Sequence, residues 1–134
     1  MAYQIQQLNS QLVYIRWLKT PDTQTSQRFL EELTSLVESA SDGVYFMSDL
    51  RQGRIIDIKQ LQQLGVLTQH ANWLGSVAFS ENPLSSVFAN TYHRMLTNNK
   101  ERNLIVKEAD KALAFLETLQ EGITEGIEWK VVFA

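Results

Sequence analysis

Two aspartates, Asp49 and Asp57, stand eight positions apart in the segment SDLRQGRIIDIKQL that begins at Ser48. A carboxylate pair can divide acid and base roles when one member is desolvated enough to keep its proton. Here each also has a structural reason to exist. Asp49 closes an apolar strand-like run, and Asp57 precedes a helical pattern as its N-cap. A capping carboxylate fills the place where a helix N-terminus would otherwise take a phosphate. The remaining chemistry is thin. His70 and His93 fall on different expected helices, with no H-x-x-x-H spacing, so no metal ligand set is expected. Ser76, Ser80, Ser85 and Ser86 lack a G-x-S-x-G context. The six glycines are scattered and form neither a dinucleotide fingerprint nor a P-loop. With no cysteine there is neither a thiol nucleophile nor a thiolate metal site. The expectation is a protein without catalytic residues or cofactor.

Composition narrows the class further. A chain of 134 residues, 44% hydrophobic and 20% charged, suits one globular domain. Its net charge of −3 argues against binding a phosphate backbone, so nucleic acid is not an expected partner. Basic residues gather only locally, at Arg51, Arg54 and Lys59 and at Lys100 and Arg102. The longest apolar run, residues 112–116, is far below the roughly 20 residues of a membrane helix. The N-terminal MAYQIQQLNS lacks a basic start followed by an apolar block, and cytoplasmic residence is expected.

The elements that must position these residues follow from periodicity. Residues 3–8 and 11–18 read as strands joined at Asn9-Ser10. Thr20-Pro21-Asp22 ends the second, and Asp22 or Thr23 can cap a helix whose stripe is Phe29, Leu33, Leu36, Val37 and Ala40. Ser41-Asp42-Gly43 closes it, with Gly43 suited to a left-handed cap. Residues 44–50 form a continuous apolar run, as in a strand buried on both faces. A helix over 58–71 and a strand over 74–79 follow. A helix opening at Asn82-Pro83, a strand over 103–106 and a helix over 108–120 complete the alternation. The order β-β-α-β-α-β-α-β-α predicts an α/β fold with a mixed, largely parallel sheet.

This order and the D-L-x-x-x-x-x-x-D corner resemble the STAS domains, the SpoIIAA-like superfamily of anti-sigma-factor antagonists, over about residues 3–120. Lys107 to Leu116, an acidic-rich start before an Ala-Leu pair, looks like that family's closing helix. The resemblance implies a sheet with helices mostly on one face. It also implies action by protein–protein contact through the corner loop and the neighbouring helix in bacterial signalling. In that family the residue after the second aspartate is a regulatory Ser or Thr. Here it is Ile58, and no hydroxyl residue occurs over residues 49–67, so the phospho-switch is absent. Lys59 and Gln60 also depart from the family pattern.

The reading that results is a non-enzymatic interaction module whose partner surface comprises Arg51, Arg54, Asp57, Ile58 and Lys59. The alternative is a binder of a small apolar ligand or lipid, in a pocket lined by Trp17, Phe79 and Phe88. Arg16-Trp17 reads either as a partner-facing stack or as a snorkelling Arg beside a core Trp. Beyond the resemblance lies residues 122–134. There Ile127, Trp129, Val131 and Phe133 alternate with Glu128, Lys130 and Val132, the period of a one-faced strand. That strand would add either to its own sheet or to a second subunit's, making a homodimer.

Overall fold

Strands β2 (Leu12–Trp17) and β3 (Val44–Asp49) are buried at nearly every position, which places them at the centre of a sheet covered on both faces. The computed structural model describes residues 2–55, 57–81 and 100–134. It contains one five-stranded sheet in the order β1-β2-β3-β4-β5, with β1 at Tyr3–Gln7, β4 at Trp73–Phe79 and β5 at Asn103–Val106. β1 runs antiparallel to β2, and every other pairing is parallel. The mixed α/β sheet expected from the sequence is therefore present. The helix expected to open at Asn82-Pro83, with Phe88 and His93 on it, lies outside the described residues.

Local chemistry accounts for the junctions. Asn9 makes the β1–β2 turn through its side chain, its Oδ1 accepting from the N–H groups of Gln11 and Leu12 at 2.9 and 2.8 Å. Helix α1 (Thr23–Ser39) is capped by Asp22 rather than Thr23, since the Asp22 carboxylate accepts from Thr25 N–H at 2.7 Å. Phe29, Leu30, Leu33 and Val37 form its buried face, and Gly43 supplies the left-handed residue after it at φ 87°. Helix α2 (Ile58–Leu67) stops short of the expected Ala71. Thr68 turns its hydroxyl back to the carbonyl of Gly65 at 2.6 Å, and His70 to Asn72 become the turn into β4.

The two faces hold separate cores. One joins Val13, Ile15, Trp17, Phe46 and Trp73 to α1 and to Leu61 of α2. The other joins Leu12, Tyr14, Tyr45, Met47, Val77 and Phe79 to Ala112 and Leu116 of helix α3 (Ala109–Leu119). The strand order advances steadily from β2 to β4, so crossovers of one hand put α1 and α2 on the same face. Helix α3 follows the last strand and covers the other. Among the described residues, helices therefore lie on both faces.

The C-terminal segment is not a strand. Trp129–Val132 forms a short helix, α4, laid on the face that α3 covers. Trp129, Val132 and Phe133 pack there at helical spacing, whereas Val131 is 73% exposed. The period-2 reading had placed Val131 inward and Val132 outward. The sheet face offers an aromatic slot for Phe133 between Tyr14 and Phe79, at ring-centre distances of 6.0 and 5.5 Å. These three half-buried side chains pack on that face rather than adding one more strand at an edge. No helix among the described residues is long and apolar enough to cross a membrane.

Candidate functional site

In-register pairing sets Arg16, Asp49 and Phe79 side by side at the carboxyl ends of β2, β3 and β4, on the face covered by α3 and α4. Two residues earlier on β2, Tyr14 shares that face. Asp49 is only 2% exposed, and its carboxylate is saturated. The Tyr14 hydroxyl donates to Oδ2 at 2.5 Å, and Arg51 grips both oxygens, Nε to Oδ1 at 2.9 Å and Nη2 to Oδ2 at 2.6 Å. Arg51 N–H adds a bond to Oδ1 at 3.1 Å, and Arg16 Nε forms an ion pair at 3.4 Å.

Burial alone would raise the pKa of Asp49, but the bonds from Arg51 and Tyr14 outweigh it and hold the carboxyl below its usual value. Tyr14 is pushed up to about 12, first by burial and then by its bond to Asp49. The Asp49 pairing raises Arg51 beyond its ordinary value. Asp49 is thus fixed as an anion, Tyr14 as a neutral phenol and Arg51 as a cation. None of these three groups is poised to exchange a proton near neutrality, where general acid–base catalysis works best.

The same arginines fasten the C-terminal segment. Arg16 donates to the main-chain oxygens of Ala134 and Val132 at 2.8 and 2.9 Å, and Arg51 donates to that of Phe133 at 2.8 Å. Arg16 also lies 5.8 Å over the Tyr14 ring, and Arg51 5.5 Å over the Phe79 ring.

The corner separates into two parts. Arg51, expected on a partner surface, is exposed, while its guanidinium bonds the Asp49 carboxylate and the main-chain oxygen of Phe133. Asp57 caps α2, accepting from Gln60 N–H at 3.2 Å, and does not join Asp49 in an acid–base pair. Arg54 is half-buried, whereas Ile58 and Lys59 are exposed, Ile58 by 50%. Gln60 is buried and donates from Nε2 to the carbonyl of Thr23 at 2.9 Å, tying α2 to the start of α1. Between them Gly53 abuts the preceding loop: a Cβ there would lie 2.3 Å from the main-chain carbon of Lys19. Gly53→Ala should therefore force the corner away from Lys19 and cost about 1–3 kcal/mol, read as a lowered urea midpoint with unchanged slope. An unchanged midpoint would show that this contact does not hold the corner.

The apolar pocket expected from Trp17, Phe79 and Phe88 is not assembled as read. Trp17 belongs to the α1 core and Phe79 to the α3 core, on opposite faces of the sheet, and Phe88 lies outside the described residues. Both tryptophan and phenylalanine are core residues, at 3% and 2% exposure, while Arg16 beside Trp17 is an ion-pair partner rather than a simple snorkelling chain. A cleft of about 540 Å³ lies elsewhere, beside the start of β1, with Tyr3, Lys19, Asp22, Arg28 and Glu32 among its walls. Among the described residues, no three His, Cys, Asp or Glu side chains gather where they could hold a metal ion.

Tyr14, Arg16 and Phe133 are the members that sequence reasoning missed. Alternation along β2 puts Tyr14 and Arg16 on one face, but only the register with β3 shows that this is the face of Asp49. Against known proteins, the chain matches no family model and no curated sequence.

Proposed function

We propose that this chain is a non-enzymatic interaction module that docks a protein partner through the outer face of α2 and the adjoining corner. The observation that carries this reading is the exposure of Ile58 and Val66, by 50% and 66%, two of the four large hydrophobic side chains so exposed among the described residues. At helical spacing they lie about 80° apart around the axis and two turns along it, with Gln62 and Gln63 exposed between them. Lys59 adds a positive charge to this face. Such a surface fits a partner with an apolar ridge and an acidic flank, the charge acting mainly on specificity and association rate.

Three further features support the reading. The corner is held in place by Gly53 against Lys19 and by Gln60 against Thr23. The Asp49 cluster is saturated and offers no acid or base. The STAS resemblance, lacking a hydroxyl at Ile58, implies contact without a phospho-switch. An apolar ligand pocket loses its proposed lining, because Trp17 and Phe79 face away from each other.

Ile58→Glu and Val66→Glu each place a charge where a partner would desolvate an apolar side chain. Either should weaken capture of the native partner by at least about tenfold, roughly 1.4 kcal/mol, with the thermal midpoint nearly unchanged. Quantitative co-purification from cell extract with tagged wild type and variants reads this. If both variants fold and retain every wild-type partner, α2 is not the interface.

A further inference from the structure

We propose that residues 127–134 are a displaceable strap over a binding site for a monocarboxylate with an aromatic body, received by Arg16 and Arg51 at the carboxyl ends of β2 and β3. This inference is separate from the α2 face and rests on the contrast between what is covered and what covers it.

The floor is built and buried. Asp49, Tyr14 and Phe79 are exposed by 2%, 3% and 2%, and Asp49 holds both guanidiniums in fixed orientations. The cover is not: no residue from Thr124 onward is buried, and α4 is only four residues long. An isolated turn of helix has little stability of its own, so the strap is held by its contacts with the floor. Gly126, at φ 76° with open space around its α-carbon, is a ready hinge.

The floor's chemistry defines the ligand. Among the side chains of the floor, two arginines face one aspartate. Three donors, Arg16 Nη1 and Nη2 and Arg51 Nη2, are now spent on main-chain oxygens of residues 132–134. A carboxylate is a stronger acceptor for a guanidinium than the neutral carbonyls of Val132 and Phe133, and its two oxygens match the planar fork. The slot filled by the Phe133 ring, against Tyr14 and Phe79, would take the ligand's aromatic body.

Because the strap competes in the same molecule, ligand affinity is reduced by the fraction of time the site is open. Hydrogen exchange on the full chain with phenylacetate, phenylacetamide and inorganic phosphate tests this. Phenylacetate should speed exchange at residues 127–134 and leave β3 unchanged, while the neutral amide does neither. Phe133→Ala should tighten phenylacetate binding by about tenfold by raising the open fraction, and Arg16→Gln should abolish the response. Unchanged or slowed exchange of the strap in the wild type overturns the proposal, whether or not either variant folds. So does an equal response to phenylacetamide, or a response to phosphate that matches phenylacetate.

Discussion

Asp49→Ala should destabilise the fold by about 1–3 kcal/mol, a sizeable share of the total stability of an ordinary domain. The size of the effect comes from what remains, not from what is lost. Arg51 and Arg16 would stay under the C-terminal segment without their counter-charge, and the Tyr14 hydroxyl would lose its acceptor in a buried site. The loss should spread to the segment that the arginines fasten, so amides near Phe133 should exchange faster in this variant than those of α1. Asp49→Asn keeps one acceptor oxygen and the shape, and should fall between the two. Replacing the whole cluster tests the cause. Asp49→Leu combined with Arg16→Met and Arg51→Met removes the charges together and should recover much of the stability. If Asp49→Ala melts with the wild type, the cluster is not a stabilising node. If the triple variant is worse than Asp49→Ala, uncompensated charge is not the reason for the loss.

How far the sequence predicts such a site depends on the range of the interactions that build it. β3 was legible because a strand buried on both faces has no polar alternation to confuse. The caps at Asp22 and Asp57 were legible because a cap is a contact between residues three apart. The C-terminal segment was misread for a physical reason: over seven residues, Ile127, Trp129, Val131 and Phe133 fit a strand while Trp129, Val132 and Phe133 fit a helix. What decides between them is the slot beside Tyr14 and Phe79, which no local pattern contains. The same holds for the role of Arg51. Its neighbours in sequence suggest a basic surface loop, and Arg51 is exposed, but its bonds to Asp49 two residues before it and to Phe133 far after it are set by the fold rather than by any local pattern. Ile58 and Lys59 are exposed, as a surface reading of them requires. The proposed partner contact lies on α2, whereas the arginine cluster bonds the C-terminal segment.

Lowering the pH should remove the Asp49 contribution, and removing Asp49 should flatten the acid limb of the stability curve. The carboxyl sits below its ordinary pKa in the fold, so the unfolded chain binds its proton first as the pH falls. Its stabilisation is therefore fully present above the unfolded value of about 3.9 and disappears as the pH drops through the lower folded value. Asp22, exposed, and Glu117, half-buried, are also shifted down by bonds to nearby main-chain and threonine groups and should contribute a gentler slope that survives in Asp49→Asn. At the other extreme the sign reverses. Tyr14 and Tyr3 are both raised to about 12, by burial and then by their bonds to Asp49 and Glu32. Their contribution is intact below the unfolded tyrosine value of about 10 and is lost as the pH rises through the folded values. Urea midpoints measured from pH 2.5 to 5 and from pH 9 to 12 read both limbs. Wild type should lose stability steeply at the acid end and Asp49→Asn much less, the two curves converging as the wild-type carboxyl takes its proton. Parallel acid limbs would show that Asp49 does not titrate between these states, and the cluster could then not be the ion-paired node that fastens residues 132–134.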